Sequence, residues 1–266
     1  MIPFVQALSM DEISGNEKKS NYKNIVDTLL NPDFDIDYNA ESLLFEDLCK
    51  SFMEKFVENM FIVDGYICQE DKAKFGILVQ HHEGRDWFGK YIDLQRNVSQ
   101  AVDEFTFYRL VQYFAIVLFE CNMADDFGPA TSVMNMSFTY HFTSVMIPGR
   151  FGQPSKQYVY EYLKDQSIWK SPRFWNAAFL HAIHDDRMKR TNGLIEWNSM
   201  SNEQRKDFET GEENSTYAHL VSFLYMMKSF DVGKVERENF LHKMSVIGDL
   251  SAEKISQLED SAEIIS

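Results

Sequence analysis

The stretch FTFYRLVQYFAIVLFECNMADDFGPATSVMNM, Phe105 to Met136, decides the fold class. Just ahead of it, the Asp103 carboxylate can accept from the orphan N–H groups of a helix start. Phe107, Leu110, Val111, Phe114, Leu118 and Cys121 then fall at spacings of three and four, which lays one apolar stripe along a helix. Phe105, Ala115, Ile116 and Phe119 cover the rest of its circumference, so a central helix packed on several sides is expected. Asn122 to Gly128 turns the chain. Pro129 suits the first turn of a second helix, where its missing N–H costs nothing, and Val133, Met134 and Phe138 continue the apolar pattern. Two helices joined by so short a connection are antiparallel neighbours. The stretch contains no reactive group suited to catalysis.

Outward from this hairpin the helical signals repeat. Phe45, Leu48, Phe52, Phe56 and Met60 form a stripe that Gly65 ends. Shorter patterns run from about Gln69 to Gln80 and from about Arg85 to Arg96, the second carrying Trp87, Phe88, Tyr91 and Ile92. Pro148, Gly149, Gly152 and Pro154 make Thr143 to Gln157 the densest cluster of breakers, and a lobe boundary is placed there. Helical signals resume at Tyr158. Pro172 again fits a first turn, before a dense aromatic face of Phe174, Trp175, Phe179 and Ile183. Arg190 to Ser199 reads as a loop, and Ser201 with Gln204 reads as a capping box. Ser215 reads as a cap for a helix from Tyr217 to Phe230, and Ser251 as a cap for one carrying Ile255, Leu258 and Ile264. No strand alternation and no fixed-period repeat is evident.

The expected architecture is therefore an all-α, multi-helix domain with orthogonal and antiparallel packing. A loosely attached polar arm, residues 1–39, precedes a helical domain, residues 40–266. In a chain of 266 residues that domain is open to two forms: one large unit, or two packed lobes, about 40–142 and 158–266, joined by the loop 143–157.

Composition excludes several classes of function. With 41 acidic against 26 basic residues the net charge is −15, a field that repels phosphate backbones and anionic lipid surfaces. Nucleic acid is not an expected partner. The Arg187, Lys189, Arg190 cluster reads as the last turn of a helix, where cations favour the dipole. The apolar run Phe114 to Phe119 is far shorter than the roughly 20 residues of a membrane helix. MIPFVQALSM has no basic segment before its apolar residues, so cytoplasmic residence is the expectation. Cys49, Cys68 and Cys121 are far apart and odd in number, which argues against a disulfide framework or a zinc site.

Each candidate for chemistry has a plainer reading beside it. His181, His184 and Asp185 with Asp186 are the best metal-like group, since histidines three apart share a helix face, but the HExxH spacing is absent. Asp126, Phe127 and Gly128 spell a kinase metal-binding triplet without any other kinase motif, and Asp125 and Asp126 read better as acceptors at a helix start. His81 and His82 read as a helix end, and Cys121 as an inert buried thiol. Trp169, Phe174 and Trp175 are partner anchors if exposed and packing if buried, while Met226 and Met227 belong to a methionine-rich set that suits adaptable contacts. These five are the candidate partner-binding residues. No cofactor is expected.

Two blocks carry a family resemblance: FYRLVQYFAIVLFECNMADDFGPATSVMNMSFTY, Phe107 to Tyr140, and IWKSPRFWNAAFLHAIHDDR, Ile168 to Arg187. Together with EDKAKFG, Glu70 to Gly76, and FLHKMSVIGDLSAEK, Phe240 to Lys254, they resemble an uncharacterised brain-expressed vertebrate family with a helical domain of the SET-binding-factor type. The resemblance covers roughly residues 40 to 260. The family would carry a longer charged insertion where this chain has only Thr143 to Gln157. From Trp169 through Ile255 the chain is also distantly similar to the helical region downstream of the DENN module in DENN/MADD-type Rab exchange factors, although it has no room for that module. The resemblance transfers no catalytic residue. What it implies is a non-enzymatic cytosolic adaptor or scaffold in neuronal signalling or vesicle-trafficking complexes, Rab-linked, with trafficking or cytoskeletal regulators as protein partners. The alternatives from other classes are a metal-dependent enzyme built on His181, His184 and Asp185, and a carrier of an apolar ligand.

Overall fold

The computed structural model describes residues 38–62, 65–144, 155–190 and 200–260. The expected arm through residue 37, the middle of the 143–157 connection, the Arg190–Ser199 loop beyond its first residue, and Ile264 lie outside the described residues. Among these, nine α-helices follow in order: α1 Tyr38–Phe61, α2 Gln69–Leu78, α3 His82–Val98, α4 Glu104–Ala124, α5 Phe127–Ser137, α6 Pro172–Arg190, α7 Asn202–Ser229, α8 Lys234–Ile247 and α9 Ala252–Asp260. Between α5 and α6 lie two strands, β1 His141–Ser144 and β2 Ser155–Tyr158, and 3-10 turns at Val159–Tyr162 and Ser167–Lys170. The fold is all-α, and among the described residues the β structure is that antiparallel pair, in register His141 to Tyr158 and Ser144 to Ser155, with a parallel bridge from Ala101 to His141.

Local chemistry explains the helix ends. Asp103 caps α4 as expected, its carboxylate accepting from the Thr106 N–H at 3.0 Å and the Thr106 hydroxyl at 2.6 Å. Burial raises the Asp103 pKa, but the hydrogen bonds from Thr106 and neighbouring N–H groups outweigh it and hold the carboxyl below its ordinary range. Ser201 and Gln204 form the reciprocal capping box of α7, with bonds of 3.2 and 2.8 Å. Aspartates rather than glycines supply the left-handed residues after three helices: Asp125 at φ 53°, Asp231 at φ 56° and Asp249 at φ 54°.

Arginines, of which Arg85 and Arg237 are buried, satisfy carbonyls left over around helix C-termini. Arg109 donates to the Asn59, Met60 and Gly65 carbonyls around the end of α1. Past α2, Arg85 donates to the Val79 and Gln80 carbonyls at 2.9 and 2.8 Å. Past α7, Arg237 donates to the Val232 carbonyl at 2.5 Å. Each of these contacts ties a turn to a neighbouring helix.

The chain divides at Leu44; before it only the opening turns of α1 are described. From Phe45 onward the described residues share one hydrophobic core. Its first part is an aromatic chain in which Phe75 of α2 meets Phe56 of α1, Phe88 of α3 and Tyr113 of α4. The hairpin α4–α5 carries this core into α6, where Phe127 meets Phe174. Phe179 of α6, Phe223 of α7 and Phe240 of α8 continue it.

Several expectations need correction. The α4 helix is not buried all round: Phe105, Phe119 and Met123 are 60%, 57% and 68% exposed, so one of its apolar faces is open among the described residues. His81 and His82 begin α3 rather than end a helix. Ser215 caps nothing, because α7 runs unbroken past it and its hydroxyl donates to Asp186 on α6. Ser251 does directly precede α9, as expected of a cap, and its own N–H donates to Glu213 at 2.9 Å. Asp126 makes no cap bond at α5 and serves Arg85 and His82 instead.

Candidate functional site

The second 3-10 turn, the start of α6, the end of α7 and the start of α8 enclose a cleft of about 650 Å³. Sequence builds its floor through two indoles. Trp169 Nε1 donates to the Leu163 carbonyl at 2.7 Å, and Trp175 Nε1 donates to the Trp169 carbonyl at 2.8 Å. Pro172 starts α6 between them, so the two tryptophans lie on either side of a sharp turn. Phe230, the last residue before the α7–α8 turn, stacks on Trp169 with ring centroids 4.2 Å apart. Met227 and Phe240 complete the apolar floor.

The rim is charged. Lys164, Asp165 and Lys170 stand on the side of the 3-10 turn, and Asp231, Glu236 and Lys243 on the side of α8. Lys164 reaches Asp231 across the cleft at 3.5 Å. Glu236 lies in the first turn of α8, where the helix dipole favours a carboxylate, and it folds against Gly233. Lys170 and Lys243 are exposed and make no ion pair among the described residues.

The five candidate partner-binding residues divide on this geometry. Trp169, Phe174, Trp175 and Met227 are at most 1% exposed, which puts them on the packing side of the choice between anchor and core. Trp169, Trp175 and Met227 nonetheless form part of the cleft floor, while Phe174 lies behind it against Phe127 and Trp169. Met226 is half-buried and outside the cleft. The rim lysines were not singled out from sequence, since exposed lysines in an α-helical chain carry no mark of which cavity they border. Phe230 had the better signal: it is a large apolar residue at the end of the expected Tyr217–Phe230 helix, beside the turn into α8.

The chemical candidates resolve into structural contacts. His181 pairs with Asp185 at 3.3 Å on the exposed face of α6, while Asp186 turns toward Ser215 and His219 on α7. Among the described residues no three His, Cys, Asp or Glu side chains converge as a metal-binding group. Asp126 accepts from Arg85 Nε at 2.8 Å and lies 2.9 Å from His82 Nδ1; Asp125 accepts from Arg173 at 2.8 Å. Burial pushes the Cys121 thiol up to about 12 and, with the charges of Glu83 and Glu46 adding to it, the Cys49 thiol up to about 11. Neither is a nucleophile at neutral pH. No helix among the described residues is long and apolar enough to cross a membrane.

Comparison with known proteins places this geometry. The family model SBF2, described as Myotubularin protein, matches residues 89–228. The human protein named Uncharacterized protein KIAA0513 is 31% identical over 332 residues, covering 88% of this chain and 81% of its own length. The chain belongs to the SBF2 family. The SBF2 match takes in α4 to α6, nearly all of α7 and the tryptophan wall of the cleft, and it stops before Phe230 and α8. The KIAA0513 alignment, at 332 positions, is longer than this 266-residue chain, so the human relative carries inserted residues that this chain lacks. No solved structure matches.

Proposed function

We propose that this SBF2-family protein is a non-enzymatic helical adaptor that binds a protein partner through the cleft between α6 and α8 and works in cytoplasmic signalling or vesicle-trafficking complexes. The observation that carries the reading is the cleft itself. It has a rigid aromatic floor of about the dimensions of a few side chains, ringed by charges that can fix the orientation of an incoming chain. Family membership supports a regulatory or adaptor role. The finer reading, a Rab-linked complex in neurons, rests on the distant resemblance read in the sequence from Trp169 to Ile255, and it makes trafficking or cytoskeletal regulators the expected partners.

The test is proximity labelling in neuronal cells with the full chain and with Asn239→Trp, which places a large ring in the cleft from an exposed position on α8. Rab-regulatory, trafficking or cytoskeletal proteins should be enriched around the wild type and lost around the variant. Enrichment of none of these classes, or equal enrichment by both chains, overturns the reading.

A further inference from the structure

We propose that the open face of α4 is the contact surface for a second copy of this chain, the two α4 helices packing antiparallel about a two-fold axis that passes through Gln112.

A stripe of mostly apolar residues runs along that face. Phe105, Tyr108, Gln112, Ile116, Phe119 and Met123 recur at spacings of three and four, so they share one side of the helix. Phe105, Phe119 and Met123 are more than half exposed, Tyr108 is 46% exposed, Gln112 is exposed among them and Ile116 is half-buried. Their positions are held by neighbours. The Arg109 guanidinium lies 4.1 Å from the Phe105 ring centroid while donating to the Met60 carbonyl at the end of α1, and Tyr108 packs edge-on against Tyr162, itself 43% exposed. Single exposed apolar residues need no explanation, whereas an ordered row of them along about five turns of helix marks an interface.

The pattern of the stripe selects a second copy as its occupant. Phe105 and Phe119 each stand seven residues from Gln112, and Tyr108 and Ile116 each stand four. Turning a second helix end for end about position 112 therefore sets Phe105 level with the partner's Phe119 and Tyr108 level with the partner's Ile116. Met123 falls level with the partner's Ala101, at a position exposed just ahead of α4. Gln112 meets the partner's Gln112 on the axis, where each amide N–H donates to the other's carbonyl. An unrelated apolar surface would leave that amide unsatisfied in the middle of the contact, and an amide pair within an apolar seam is a known way to fix the register of paired helices.

The open area is enough for a reversible dimer. At roughly 200 Å² for a whole side chain of this size, Phe105, Tyr108, Phe119, Met123 and Tyr162 leave roughly 550 Å² uncovered per copy. Two copies then bury about 1,100 Å², above the roughly 1,000 Å² that a biological interface needs and below the standard size. Each chain carries −15, so the copies repel through their common field and associate more tightly as salt screens it.

The experiment is sedimentation equilibrium of the full chain and of Phe119→Glu, Gln112→Glu and Gln112→Lys. Both positions are exposed, and circular dichroism confirms that each variant folds. The wild type should pass from monomer to dimer as its concentration rises through the micromolar range, with tighter association at higher salt. Phe119→Glu should raise the dissociation constant at least about tenfold, because it buries an unpaired charge in each copy. Gln112→Glu and Gln112→Lys each set like charges face to face on the axis and should weaken association as much. An equal mixture of those two should regain the dimer, since recovery by mixing requires position 112 to face itself. A wild type that stays monomeric through the micromolar range overturns the proposal, even if another protein is captured on this face. A dimer that withstands Phe119→Glu, or one that mixing the two Gln112 variants does not restore, overturns it as well.

Discussion

Replacing Arg85 with leucine should destabilise the fold by about 3–4 kcal/mol, within the 3–5 kcal/mol seen when one member of a buried ion pair is removed. Arg85 is 3% exposed and serves four bonds at once. Its Nε and Nη2 both lie 2.8 Å from Asp126 Oδ2, and Nη1 holds the Val79 and Gln80 carbonyls at 2.9 and 2.8 Å. Two effects oppose each other in the variant. Leucine removes the cost of desolvating a guanidinium, which on its own would stabilise. Against that, the Asp126 side chain, 15% exposed, keeps its charge with only the exposed His82 beside it, and two carbonyls lose their donor. Each orphaned buried group costs about 1–3 kcal/mol, and more when charged, so the loss outweighs the gain. Lysine at position 85 should recover less than half, because a point charge cannot span a carboxylate and two carbonyls lying in different directions. Urea unfolding followed by tryptophan fluorescence and by circular dichroism reads both variants, and coincidence of the two probes checks that the transition is two-state. A cycle with Asp126→Asn isolates the pair, with a coupling above about 1.5 kcal/mol expected for charges this close. A loss below about 1 kcal/mol for Arg85→Leu, or a wild-type-like Arg85→Lys, would refute the assignment of Arg85 as the clasp between the α2–α3 elbow and the α4–α5 turn.

Two glycines give opposed outcomes for the same substitution. A Cβ at Gly84 would overlap the Leu78 carbonyl oxygen, which is backbone and cannot give way, so Gly84→Ala should lower stability by about 2 kcal/mol or more, as backbone shifts of this kind do. Gly76 faces open space, and Gly76→Ala should stabilise by about 0.5–1 kcal/mol through helix propensity; thermal melts distinguish the two. Asp103→Ala should cost about 1 kcal/mol as a lost N-cap. Since the native Asp103 pKa is depressed, its contribution is complete above the unfolded value of about 3.9 and disappears as pH falls through the lower native one, so wild type and variant should converge in stability only in strong acid. In native protein at pH 8, Ellman's reagent should modify Cys68 fast, and Cys49 and Cys121 only at the rate of unfolding, because burial holds their thiols at about 11 and about 12.

Periodicity made the helices legible, and the Asp103 cap, the Ser201–Gln204 box and the α4–α5 hairpin follow from contacts between residues a few positions apart. What escaped depends on partners distant in sequence. Ser215 has the composition of a cap, but its partner is Asp186, 29 residues away, and nothing local distinguishes a capping serine from one bonded to another helix. Asp126 looked like a cap for the same reason, until Arg85 arrived from 41 residues upstream. The β1–β2 pair is held by backbone bonds in strands of four residues each, too short for alternation to show. Phe119 and Met123 illustrate the opposite error: apolar composition predicts burial, yet the helix surface they occupy finds no cover among the described residues. The cleft combines both difficulties, since its floor reads as core and its rim reads as ordinary solvated surface.

That division between floor and rim bears on how strongly a partner can bind. Trp169, Trp175, Phe230 and Phe240 are at most 5% exposed, so the aromatic floor is largely satisfied by the core before anything arrives. An incoming side chain gains contact with ring edges and removes little apolar area from water, which limits the hydrophobic term that sets most tight interfaces. The rim lysines are exposed, and exposed ion pairs contribute about 0–1 kcal/mol each and are screened over about 8–10 Å at ordinary salt. A single engagement of the cleft is therefore weak and salt-sensitive, with rim charges governing the encounter rate more than the lifetime. The floor offsets part of this by being rigid: its indoles are fixed by hydrogen bonds to the Leu163 and Trp169 carbonyls and by the stack of Phe230, so the floor itself needs no ordering on binding. A weak, preformed site of this kind acts usefully when a second contact is made at the same time, since tethering multiplies modest affinities without new strong bonds. An adaptor that works in assemblies would meet that condition.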